Sequence, residues 1–142
     1  SDLAACGARP IAFTLALALP RAEQAFLAGF ARGLFALADR EACELIGGDT
    51  TRGPLAVCIT VFGELPPGGA LLRSGARPGD DLYVSGTLGD ARLALEAFRG
   101  HVTLDADAFA QVRRAMELPA PRTALPPAAG ALTNLTWLMA NG

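Results

Sequence analysis

The residues best suited to chemistry in this chain gather in "GGDTTRG", Gly47 to Gly53. Two glycines let a backbone approach a ligand closely. Asp49 follows with hard carboxylate oxygens, which magnesium takes alongside phosphate oxygens and water. Thr50 and Thr51 add hydroxyls, and Arg52 adds positive charge. The grouping suits a metal–phosphate site. It also suits a polar connection between two strands in which Asp49 caps its own backbone. The Walker A pattern GxxxxGK[ST] is absent.

Further candidates flank this stretch. Asp2 opens the Ala-rich "SDLAACGA", either as a helix N-cap or as a metal ligand completed by other carboxylates. Arg73 and Arg77 lie in the Gly/Pro-rich "RSGARPGD", where arginine can fork onto phosphate oxygens or stay solvated. "VSGTLGDA" runs from a strand through glycines to a helix, whose N-terminus attracts anions. It lacks the first glycine of GxGxxG. Cys6, Cys43 and Cys58 are odd in number and without CxxC spacing, and read as small buried hydrophobes in a reducing compartment. His101 is the single histidine and reads as a surface residue, so neither a multi-histidine metal site nor a His-based triad is expected.

The elements that must position these residues follow from periodicity. "SDLAACGA" predicts a helix ending at Gly7. "IAFTLALAL", Ile11 to Leu19, predicts a strand buried on at least one face. In "RAEQAFLAGFARGLFALADRE", Phe26, Phe30, Leu34 and Leu37 predict one helical stripe, with Glu23 and Arg40 placed as the helix dipole favours. "CELIGG" predicts a short strand into a turn, and "PLAVCITVFGEL" a strand. The two strands around GGDTTRG either pair as a hairpin or sit apart in one sheet. Glycines and prolines between Leu65 and Asp80 mark the best domain boundary. Beyond it come a strand over Asp81 to Gly86, a helix in "GDARLALEAFRG", and a helix over Asp105 to Leu118 with Asp105 or Asp107 near its start. This order predicts an α/β or α+β fold.

Bulk properties narrow the function. The 142 residues suffice for one domain or pieces of two. With 12 basic and 14 acidic residues there is no electrostatic footprint for nucleic acid and no basic membrane patch. The longest apolar run, Pro10 to Pro20, is shorter than the roughly 20 residues that span a bilayer. A soluble cytoplasmic protein is the expectation. The chain opens inside a helix-like segment and reads as a fragment.

Taken in order, "SDLAACGARP", "TLALALP", "FARGLFALADR", "ELIGGDTTRGPL" and "GELPPGGALLRSGARPGDDLYVSGTLGDA" resemble the thiamine-monophosphate kinase family. The resemblance covers about Ser1 to Leu95, and more loosely extends to Arg122. It implies an α/β, PurM-like fold, that of the aminoimidazole ribonucleotide synthetase superfamily, with a mixed sheet and packed helices. Residues 1–70 would be the C-terminal part of a dimerising N-terminal domain that binds ATP and magnesium. Residues 71–142 would begin a C-terminal domain. The implied reaction is ATP-dependent phosphorylation of thiamine monophosphate to thiamine diphosphate by a homodimer. Carried over by motif, Asp2 and Asp49 would hold Mg2+, and Gly48, Asp49 and Arg73 would contact ATP. No side-chain nucleophile is implied, because phosphoryl transfer rests on positioning and charge neutralisation. Two other readings stand beside this one: another ATP-using enzyme of the superfamily, or a non-catalytic dimerising remnant. The tail from about residue 119 departs from the family pattern, as a truncated or frame-shifted product would, and lacks the expected "SDG" aspartate. Little kinase activity is expected of these 142 residues alone.

Overall fold

The computed structural model describes residues 1–75, 77–81 and 84–124, in two compact units. One unit is Asp2–Ala70; the other takes Ser1 and the described residues from Leu71 onward. The predicted strand over Asp81 to Gly86 is not formed by its described residues, and Leu82 and Tyr83 lie outside them. A strand requires a partner for its backbone groups, and the described residues of this second unit contain no other strand. The tail expectation falls mostly on residues 125–142, also outside the described set.

The first unit begins with helix α1, Asp2–Cys6. The Gly7 N–H donates to the Ala4 carbonyl (3.0 Å) and the Ala8 N–H to the Leu3 carbonyl (2.8 Å). With Gly7 at φ 78°, this is a Schellman stop at the predicted glycine. Strand β1 is Arg9–Leu19, helix α2 is Gln24–Arg40, strand β2 is Glu44–Arg52 and strand β3 is Ala56–Glu64. The sheet order is β2-β1-β3, with β1 parallel to β2 and antiparallel to β3. The strands around GGDTTRG therefore sit apart in one sheet. Their connection steps past the end of β1, where the Gly53 N–H donates to the Leu19 carbonyl (3.0 Å). Two strand spacings, roughly 10 Å, lie within reach of so short a connection.

Helix α2 forms where predicted, but its stripe is rotated. Phe26 and Leu37 are exposed; Leu27, Phe30, Ala31 and Leu34 are half-buried, and Ala38 is buried. The buried line follows spacings of three and four through Leu27, Phe30, Ala31, Leu34 and Ala38, while Phe26 stacks on Phe30 with ring centroids 6.1 Å apart. After α2, the Ala42 N–H donates to the Asp39 carbonyl (3.2 Å) and the Cys43 N–H to the Ala38 carbonyl (2.9 Å). Ala42 thus takes the left-handed stop position at φ 49°, without glycine's freedom. A left-handed L-residue costs roughly 1–2 kcal/mol, and glycine's greater unfolded-state entropy returns part of that. Ala42→Gly is expected to stabilise the protein by about 1 kcal/mol, read as a higher urea midpoint at unchanged slope.

In the second unit, helices α3, Asp90–Phe98, and α4, Ala106–Glu117, form where predicted. The Asp105 carboxylate accepts from the Ala108 N–H (2.8 Å), capping α4. Ala94 and Val112 are buried, and Phe98 meets Phe109 edge-on at 5.2 Å. His101 is exposed, as expected, and its Nδ1 lies 2.7 Å from Glu96 Oε2. That hydrogen bond foremost, with Arg92 and Arg99, holds the Glu96 carboxyl below the usual range. A folded-state pKa lowered in this way gives stabilisation that is full above the unfolded value of about 4.3 and fades as pH falls through the folded value. Glu96→Gln is expected to lower the urea midpoint at about pH 6 and to converge with the parent at about pH 3.

Candidate nucleotide–metal site on the central sheet

GGDTTR is not a loop. Gly47 to Arg52 lie inside β2, paired along β1, and only Gly53 to Leu55 connect. The β-branched Thr50 and Thr51 favour extended backbone, and β1 supplies the hydrogen bonds that a turn would leave to water. Asp49 pairs in register with Ala16, whose other neighbour is Cys58 of β3. The adjoining rows are Gly47–Thr14–Thr60 and Thr51–Ala18–Ala56. These nine positions share one face of the sheet by strand alternation. They are small, so nothing large stands beside the carboxylate. Ala16 is exposed there, while the next residue, Leu17, is 5% exposed on the apolar opposite face.

Gly48 shows why this strand needs glycine. Its φ is 146°, and a Cβ would fall 1.9 Å from the Leu15 carbonyl oxygen. Gly47, by contrast, has nothing within 4 Å of an added Cβ.

Asp2 stands at the first position of α1, in the same unit, and is exposed. Neither Asp2 nor Asp49 has a side-chain hydrogen bond or ion pair among the described residues. Both carboxylates are therefore uncommitted, and Asp2 does not cap its own helix. One or two such carboxylates, completed by phosphate oxygens and waters, is the donor set that magnesium accepts. Among the described residues, no three His, Cys, Asp or Glu side chains gather as a metal cluster.

Arg73 belongs to the second unit and opens a 3-10 turn, Arg73–Gly75, with its side chain exposed and unpaired among the described residues. Arg77 begins a tight turn through Pro78 and Gly79. The Asp80 N–H donates to the Arg77 carbonyl (3.1 Å), and Gly79 has φ 99°, as the third residue of a type II turn requires. The Arg77 N–H in turn donates to the Asp80 carboxylate (2.8 Å). In "VSGTLGDA" the start of α3 is already faced by the Asp90 carboxylate, which accepts from the Thr87 hydroxyl. A resident anion there opposes a phosphate.

The cysteines depart from expectation. Cys6 and Cys58 are exposed and Cys43 is half-buried. Cys58 is exposed because it lies on β3, at the edge of the described sheet. Burial, then the Glu41 charge, pushes the Cys43 thiol up, so it is not an activated nucleophile.

The fold places the chain in a class by similarity: residues 1–65 match the model of the family described as AIR synthase related protein, N-terminal domain. The particular relatives are thiamine-monophosphate kinases. The chain is 48% identical over 124 residues to the enzyme of Salmonella typhimurium, a match covering 86% of this chain and 38% of that one. The crystal structure of the enzyme from Stenotrophomonas maltophilia superposes with TM-score 0.82 at 45% identity, over 88% of this chain and 41% of that one. A structure of AaThiL complexed with AMPPCP and TMP superposes at 0.79 with 25% identity, over 93% and 42%. The resemblance drawn from the motifs is found again here, together with the mixed α/β fold. The chain spans about two fifths of the length of these relatives.

Proposed function

We propose that this chain forms part of an ATP-dependent thiamine-monophosphate kinase. Asp49 carries the reading: an exposed carboxylate in mid-strand, unpaired among the described residues, next to a glycine that admits no side chain. Asp49 and Asp2 hold Mg2+, which, when bound, neutralises phosphate charge. Gly48 brings backbone close to the nucleotide, and Arg73 contributes a guanidinium fork to its phosphates. A phosphate oxygen of thiamine monophosphate bonds to the γ-phosphorus as the bond to the β,γ-bridging oxygen breaks, giving thiamine diphosphate and ADP. No side chain acts as a nucleophile.

Residues 1–70 belong to the dimerising N-terminal domain in this reading, and residues 71–142 begin the C-terminal domain. Val57, Ile59 and Val61 form an exposed apolar row on β3, which supports homodimer formation through this sheet. No helix among the described residues is long and apolar enough to cross a membrane, in keeping with a cytoplasmic enzyme. That same row also favours the non-catalytic remnant. Ile59→Lys is expected to shift the protein from dimer to monomer in light scattering; an unchanged mass removes this sheet as the interface.

The activity test supplies ATP, magnesium and thiamine monophosphate and measures thiamine diphosphate. Because the chain spans 38% of its Salmonella relative, slow or no turnover is expected of it alone. A rate of about 1 to 100 per second would overturn that expectation. Mg·ATP binding by calorimetry supports the kinase reading; self-association without binding supports the remnant.

A further inference from the structure

The ladder between β1 and β2 is interrupted once. Phe13 pairs with Leu45, but the next residue, Thr14, pairs with Gly47, so Ile46 is looped out as a β-bulge and is 60% exposed. Strand alternation has a period of two, so one extra residue reverses the facing of everything beyond it. Were Ile46 paired with Thr14, Asp49 would stand beside Leu17 on the apolar face. With Ile46 looped out, Leu45 still stands beside buried Phe13, and Asp49 stands beside exposed Ala16. Gly48 then closes the strand back onto β1 at the point where a Cβ would strike the Leu15 carbonyl. Bulges re-aim side chains in this way beside functional sites.

We propose that Ile46 and Gly48 are positioning residues: the bulge at Ile46 sets the facing of the Asp49 carboxylate, and Gly48 seats it. The metal–nucleotide part of this inference rests on the kinase reading; the register does not. Two variants and one crosslink test it. In a chain with Cys6, Cys43 and Cys58 replaced by serine, Asp49→Cys is expected to form a disulfide with Ala16→Cys and not with Leu17→Cys. Inserting one glycine between Gly48 and Asp49 is expected to move the crosslink to Leu17→Cys. In the chain with its native cysteines, the same insertion is expected to weaken Mg·ATP binding at least about tenfold, or 1.4 kcal/mol. The exchange Asp49→Thr/Thr50→Asp keeps length and composition, places the carboxylate beside Leu17, and is expected to lose binding equally. Crosslinking of the uninserted chain at Leu17→Cys overturns the register. Parent-like Mg·ATP affinity in the insertion or the exchange overturns the role of facing. A parent that does not bind Mg·ATP overturns the nucleotide reading, and with it the bulge's role in binding, while the crosslinks still decide the register.

Discussion

Asp49→Ala is expected to weaken Mg·ATP binding about a hundredfold, equivalent to about 2.7 kcal/mol, while leaving the thermal midpoint nearly unchanged. Both halves follow from the same facts. The carboxylate has no ion pair or hydrogen bond among the described residues, so its removal breaks nothing in the fold. Its neighbour across the ladder is Ala16, with Cys58 one strand further on, and the carboxylate is exposed, so truncation leaves no cavity. A metal–phosphate ligand, in contrast, supplies a full negative charge that no neighbour in its row can replace. Calorimetry with Mg·ATP checks the first half and a melting curve the second. A large fall in the melting midpoint would assign Asp49 a structural role, and unchanged affinity would remove it from the site.

Gly48→Ala is expected to destabilise the protein by about 3 kcal/mol or more. Total stabilities are commonly only about 5–15 kcal/mol, so this is a large effect. An added methyl would meet the Leu15 oxygen at 1.9 Å, its carbon at 2.7 Å and its nitrogen at 2.8 Å. All three are backbone atoms of the central strand, so no side-chain rotation gives relief. The chain must either open the β1–β2 ladder or move β2, and the second displaces Asp49. Gly47→Ala is the control, with open space at its Cβ and an expected cost within about 1 kcal/mol. Urea denaturation of the two variants separates them. Equal midpoints would show that β2 does not approach Leu15 so closely.

The two glycines mark how far the sequence reads. Adjacent and identical in type, both suggest close backbone approach, and nothing in the string tells them apart. Their difference lies in where Leu15, more than thirty residues earlier, passes. The helices were legible because their signals are local: Gly7 stops α1, Asp105 caps α4, and the 3.6-residue period runs through α2 and α3. The rotation of the α2 stripe was not, since which of several apolar lines is buried depends on what packs against it. GGDTTRG looked like a turn because glycine and aspartate favour turns locally. Gly47 to Arg52 are strand because β1 offers a parallel partner, and that partner is joined to them through a whole helix.

The sequence by itself determined the four helices and the strands β1 and β3, the family resemblance and the identities of Asp2, Gly48, Asp49 and Arg73 as candidates, since motif order and local periodicity survive without coordinates. Only the tertiary structure decided that β1 lies between β2 and β3, that Ile46 is looped out, and that Asp49 shares a face with Ala16 and Cys58. Pairing register is a relation between distant segments, and a shift of one residue reverses which side of the sheet a carboxylate faces.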